Sequence, residues 1–252
     1  MSFNVAAEAY DRFMGRYSIP LAPRFADFAS IASGQRVLDV GCGPGALTTE
    51  LVGRLGPAAV RAVDPSEPFV AAAQERYPAV LVQRAGAEHL PFGDDEFDAV
   101  LAQLVVHFMA DPVAGIREMG RVTRSGGVVA ACVWDHEGGQ GPLGVFWQAA
   151  HQLDPDVEDE AGLAGAREGH LVQLFRDAGL GQIEDTALSI RIEHHSFEEW
   201  WEPYTLGVGP AGSYVTGLDD AHRTELRNLC RSLLPAAPFV VTALAWAARG
   251  VA

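Results

Sequence analysis

Lysine is absent from this chain: all 18 basic residues among its 252 are arginine. That absence removes several chemistries at once, because a Schiff-base enzyme, a Walker-type phosphate loop and a Tyr-x-x-x-Lys dehydrogenase each need a lysine amine. Cysteine is nearly as scarce. Cys42, Cys132 and Cys230 are odd in number and far apart, so neither a disulfide framework nor a Cys-x-x-Cys metal pair is indicated, no metal site is expected, and a reducing cytoplasm fits. Basic residues are outnumbered by 33 carboxylates, for a net charge of −15; the resulting field repels phosphate, which makes nucleic acid and anionic membranes poor partners. Long apolar runs are missing as well. Glu8 and Asp11 stand where a leader would carry basic residues, and the late run from Phe239 to Ala248 is too short to span a bilayer.

What is present, 48% apolar and 9% aromatic residues, is the composition of a globular protein able to bury one large core with an appended cap. Strand-length apolar runs near 36–41, 59–64, 79–84, 97–104 and 127–134 alternate with helical patterns near 45–55, 66–76 and 112–123. Alternation of that kind implies crossover connections and a parallel sheet. Upstream, Phe3 to Tyr17 and Leu21 to Ala32 read as two short amphipathic helices broken at Pro20. Residues 1–34 are therefore expected to form a helical lid on a domain spanning 35–252.

After Trp134 the pattern loosens into a flexible loop, Asp135 to Pro142, and an acidic patch from Asp154 to Glu160. It recovers with a helix over 169–178, a strand near 180–193 and a last strand from Phe239 to Ala247. Residues 136–168 and 196–235 are the expected cap insertions. Within the second, Trp200, Trp201 and Tyr204 suit either core anchors or pocket walls. The adjacent His194 and His195 point to opposite faces of a strand, which argues against a shared metal.

The most informative stretch is Arg36-Val37-Leu38-Asp39-Val40-Gly41-Cys42-Gly43-Pro44-Gly45. An apolar strand end bearing an aspartate runs into three glycines, whose missing Cβ atoms let the backbone turn sharply and lie against a ligand. Asp64 closes the next apolar run about twenty residues later, the separation that puts a carboxylate at the tip of the neighbouring strand, within reach of ribose hydroxyls. Gly41-x-Gly43-x-x-Ala46 also satisfies a loose dinucleotide fingerprint, but Pro44 removes a backbone N–H from the loop that would cradle a pyrophosphate.

With Asp64-Pro65-Ser66, Ala87-Glu88-His89-Leu90-Pro91-Phe92, Phe97-Asp98-Ala99-Val100 and Gly126-Gly127 following in order, residues 36–135 resemble the class I S-adenosylmethionine-dependent methyltransferases, in particular their small-molecule, ubiquinone/menaquinone-biosynthesis-like branch (methyltransferase type 11). The resemblance implies a doubly wound, mostly parallel seven-stranded Rossmann-like α/β sheet with the last strand antiparallel and a small helical cap. It implies S-adenosylmethionine as cofactor, S-adenosylhomocysteine as product and a small-molecule methyl acceptor, in a monomer or homodimer. It also distributes roles: Gly41, Cys42, Gly43 and Gly45 form the loop, Asp39 supports it near the methionyl amine, and Asp64 holds the ribose. Pro65 and Ser66 flank the adenine, and Gln103 passes the sulfonium. Where relatives carry Gly-Asp-Ala-Glu, this chain has Ala85-Gly86-Ala87-Glu88, so adenine falls to the Ala87 or Glu88 backbone or to the Glu88 side chain. Arg16 is assigned to the methionyl carboxylate. His107, the best-placed titratable side chain, is the candidate catalytic base, with a packed wall residue as its other reading. The competing function is a non-catalytic S-adenosylmethionine-binding regulatory or assembly protein.

Overall fold

Seven runs of apolar, largely β-branched or small residues set the sheet: β1 (Val37–Val40), β2 (Val60–Asp64), β3 (Leu81–Arg84), β4 (Phe97–Gln103), β5 (Thr123–Trp134), β6 (Gly181–His194) and β7 (Phe239–Val251). The computed structural model describes residues 7–252; the expected start of the first helix, Phe3 to Ala6, lies outside the described residues. Strand order is β3-β2-β1-β4-β5-β7-β6. All pairs among β1 to β5 are parallel, whereas β7 runs antiparallel to both β5 and β6. The doubly wound sheet with an antiparallel last strand is thus the observed fold.

Every residue of β1 is buried, as expected for a strand covered on both faces by crossover helices. Alternate side chains feed two cores. Val37, Ala62, Ala99 and Ala130 face Leu21, Phe25, Leu47 and Leu51, while Leu38, Val63, Val100 and Val129 face Ile116, Met119, Leu174 and Phe175. The first core is covered by α1 (Ala7–Tyr10), α2 (Arg16–Phe28), α3 (Ala46–Leu55) and α4 (Glu67–Arg76); the second lies under α5 (Pro112–Val122) and α7 (His170–Asp177). Local chemistry starts α5: the Asp111 carboxylate accepts from Ala114 N–H at 2.9 Å, and Pro112 occupies a first-turn position that needs no donor.

Pro20 does not break the N-terminal helix. A π-turn, Asp11–Gly15, joins α1 to α2, and α2 continues through both Pro20 and Pro23. The prolines are half-buried, while Tyr17, Leu21 and Phe25, spaced at i, i+4 and i+8, are buried; burial on the sheet outweighs the local cost of two missing N–H donors. Residues 16–28 consequently belong to the core rather than to a detachable cover.

The two insertions supply α6 (Gly144–Leu153), then α8 (Phe197–Trp201), α9 (Gly209–Gly217) and α10 (Asp220–Leu233). Tyr204 is their hub: it stacks on Phe146 at 4.6 Å and meets Trp200 at 4.9 Å and Phe13 at 5.1 Å. Trp200, Trp201 and Tyr204 are accordingly core anchors, buried and outside both cavities described below. The loop expected to be flexible after β5 is pinned instead. Buried Asp135 accepts from Gly138 N–H and Trp246 Nε1 through Oδ1, and from Gln140 Nε2 through Oδ2. Among the described residues, no helix is long and apolar enough to cross a membrane.

Candidate functional site

The chain order of this sheet places a crevice at the carboxyl ends of β1 and β4, where connections depart to opposite sides. A cavity of about 620 Å³ opens there, floored by the turn after β1, the tip of β2 and the segment after β4; its size suits a cofactor. Gly41 and Gly43 carry φ of 70° and 54°, left-handed values that favour glycine. A Cβ on Gly41 would overlap the Val105 side chain, whereas a Cβ on Gly43 would meet no protein atom within 4 Å. Gly43 lines the cavity, so its missing side chain keeps ligand space open.

Asp64 fixes that turn. Its Oδ2 accepts from Gly43 N–H at 2.9 Å and its Oδ1 from Ser66 N–H at 2.8 Å; burial raises its pKa, partly offset by these two bonds. Asp39, 1% exposed, accepts from Thr48 Oγ1 at 2.6 Å through Oδ2 while its Oδ1 is buried without a partner. Burial pushes its carboxyl up to about 7, with the Thr48 bond opposing and the Asp64 charge adding. Gln103 donates through Nε2 to the Ser18 carbonyl at 3.0 Å, leaving Gln103 Oε1 and Ser18 Oγ also buried and unpartnered. All three orphaned oxygens belong to residues lining the cavity. Buried acceptors without donors are costly, and three around one acidic space fit a ligand that brings N–H, O–H or cationic groups. Leu104, the next residue, is held at φ 62°, with its N–H on the Cys132 carbonyl at 2.8 Å; strain of this kind collects at ligand sites.

A second cavity of about 30 Å³ adjoins the first and shares Tyr10, Leu104 and Phe108 with it. Phe13, Met14, His107, His136 and Glu160 are among its walls. The His107 ring is buried 3.9 Å from that of Phe108 and 5.6 Å from that of His136. Burial first, and His136 second, hold its pKa well below the ordinary histidine range. Burial likewise pushes His136 down to about 4 and the Glu160 carboxyl up to about 7, although Trp147 Nε1 donates to Glu160 Oε2 at 3.1 Å.

Of the residues assigned from sequence, Asp39, Gly41, Cys42, Gly43, Asp64, Pro65, Ser66 and Gln103 line the large cavity. Gly45 stands behind it at φ 103°, where a Cβ would crowd the Tyr77 ring. Ala87 and Glu88 are not in its walls: Ala87 is buried in the second core, and the Glu88 carboxylate accepts the N–H groups of Ala110 and Asp111 at 2.9 and 3.3 Å. Arg16 is turned away altogether. Its guanidinium donates to His194 Nδ1 at 3.3 Å and to the Glu199 carbonyl at 3.1 Å. Since arginine only donates, His194 Nδ1 is the acceptor, and its Nε2–H donates to the Tyr17 hydroxyl at 3.2 Å. These bonds give Arg16 its structural partners, and it does not line the large cavity. His107 lines the smaller cavity only. Ser18, Leu104, His136 and Glu160 were not assigned to the site from sequence; no spacing links them, because they converge only through the fold.

Residues 38–131 match the family model described as a methyltransferase domain. An uncharacterised methyltransferase of Mycobacterium tuberculosis is 38% identical over 135 residues, 54% of this chain and 52% of that protein. The chain thus spans about half the length of the curated relatives it matches. The YcgJ protein of Bacillus subtilis superposes with a TM-score of 0.59 at 18% identity, covering 92% of this chain and 97% of that one. Phosphoethanolamine N-methyltransferase 2 of Haemonchus contortus, solved with phosphomonomethylethanolamine and S-adenosylhomocysteine, gives 0.59 at 17% identity over 97% of this chain and 57% of its own. At those identities the two structures show likeness of fold.

Proposed function

We propose that this chain is a class I S-adenosylmethionine-dependent methyltransferase that binds S-adenosylmethionine in the 620 Å³ cavity and passes its methyl group to a small molecule held in the adjoining, mostly apolar one. The observation that carries the reading is the set of orphaned oxygens, Asp39 Oδ1, Gln103 Oε1 and Ser18 Oγ, in a cavity whose floor is the Asp64-tied glycine turn. The cofactor has an ammonium group, a sulfonium and two ribose hydroxyls to offer them. Asp39 suits the ammonium, Asp64 the ribose, and Gln103 the sulfonium end. When bound, the cofactor supplies a methyl group already activated by positive charge. The protein's task is then alignment and exclusion of water, and alignment alone can be worth about 7 to 11 kcal/mol of barrier.

The acceptor side has room for little more than a water, so an acceptor enters when the Tyr10 to Met14 segment moves, a smaller element than the lid the sequence places over residues 1–34. That narrowness also suits the second reading, a regulatory or assembly protein that binds the cofactor without turnover. Three buried free cysteines support a cytoplasmic setting, and the acidic charge argues against nucleic acid.

Calorimetry with S-adenosylmethionine, followed by a labelled-methyl screen over phenols, amines and quinone precursors, tests the proposal. Binding with transfer supports the enzyme, binding without any transfer leaves the regulatory reading, and no binding defeats both. Asp64→Ala should stay folded yet bind about 10- to 10³-fold more weakly, because each hydrogen bond to a charged acceptor contributes about 1.5 to 3 kcal/mol. Unchanged affinity would move the ribose elsewhere.

A further inference from the structure

We propose that His107, His136 and Glu160 bind one divalent first-row transition-metal ion at the acceptor end of the cavities. A ring nitrogen from each histidine and a carboxylate oxygen of Glu160 lie within 4.8 Å of one another. They arrive from three separate places: the turn after β4, the turn directly after β5 and the segment that follows α6. Convergence of this kind is not a by-product of local sequence.

A second observation points to a ligand. His107 is 8% exposed and its Nδ1 has no hydrogen-bond partner; His136 Nε2 is likewise buried and unpartnered. Both residues line the same small cavity. An unmet buried ring nitrogen costs about 1 to 3 kcal/mol, and neither of these two finds a hydrogen-bond partner in the folded chain. The enclosed surroundings favour neutral imidazoles, which is the ligating form. Glu160 already has the support expected behind a metal ligand, since Trp147 Nε1 donates to its Oε2 at 3.1 Å.

Two imidazoles and one carboxylate suit Zn²⁺, Fe²⁺ or their neighbours; Mg²⁺ and Ca²⁺ prefer all-oxygen sets. Bonds of about 2.0 to 2.2 Å would bring the donors to roughly 3 to 3.6 Å from one another, so binding draws the three side chains together by about an ångström. Three protein ligands leave positions open toward the cavity. A hydroxyl oxygen of the acceptor fits such a position: coordination eases loss of its proton to water, the oxygen–methyl bond forms as the sulfur–methyl bond breaks, and the sulfonium becomes a neutral thioether. This last step rests on the methyl-transfer reading; the metal site itself does not.

The test uses the full chain, stripped with a chelator and titrated with Co²⁺ by visible absorption and with Zn²⁺ by calorimetry. Saturation at one ion per chain is expected, with His136→Gln and Glu160→Gln each weakening it by about 10²-fold or more. Circular dichroism and S-adenosylmethionine affinity check that each variant is folded. Absence of saturable binding, or equal binding in either folded variant, overturns the proposal, and neither outcome bears on whether the protein transfers methyl groups.

Discussion

Gly43→Val is expected to weaken S-adenosylmethionine binding by more than about 10²-fold while leaving the protein folded. Two effects add. At φ 54° a β-branched residue sits in left-handed backbone space, at a cost of about 1 to 2 kcal/mol. The side chain itself would meet no protein atom, so it projects into the cavity that Gly43 lines and takes the volume of the ligand. Gly41→Val makes the contrast. There the new Cβ overlaps Val105, and the loss should show as a lower melting temperature, because overpacking costs about 1 to 3 kcal/mol or more. If Gly43→Val binds as tightly as the parent by calorimetry, the glycine turn is not where the cofactor lies.

The sheet was legible because its strands are buried on both faces, and β1, β2, β4 and β5 therefore stand out as short apolar runs between helical patterns. The glycine turn and Asp64 were legible for a different reason: backbone conformation and strand-tip position constrain residue type there. Arg16 had no such constraint. A long side chain reaches several partners from one backbone position, and the pull of buried His194, 178 residues away, leaves no trace near Arg16 in the sequence. Pro20 misled because helix propensity is local, while Tyr17, Leu21 and Phe25 bury together across it. Helix α6 was missed where an acidic, glycine-rich setting hid Phe146, Ala149 and Ala150 at helical spacing. The convergence of His107, His136 and Glu160 is purely tertiary, and no pairwise spacing could have announced it.

Cofactor affinity should fall about tenfold for each pH unit below about 7 and level off above it, because Asp39 must be ionised to meet an ammonium group. The sign follows from the free protein. Burial lifts the Asp39 carboxyl from about 3.8 to about 7, so the folded chain holds a proton there that the unfolded chain gives up. This group's contribution to folding stability is therefore full below about 3.8 and lost as pH rises through about 7. A cationic ligand reverses the preference: it stabilises the carboxylate, releases the proton and binds more tightly as that proton becomes easier to remove. Calorimetry between pH 5.5 and 7.5, run in buffers of different ionisation enthalpy, would register proton release on the acidic side; the ligand's amine, with an ordinary α-amino pKa near 8, is mostly protonated throughout. Asp39→Asn keeps the Thr48 contact and the volume but has no proton to lose. Its affinity should be about 10- to 10²-fold lower at pH 7.5, by loss of a charge-assisted bond, and nearly flat with pH. A parent curve that is itself flat, or an Asn variant that keeps the slope, would take the ammonium away from Asp39.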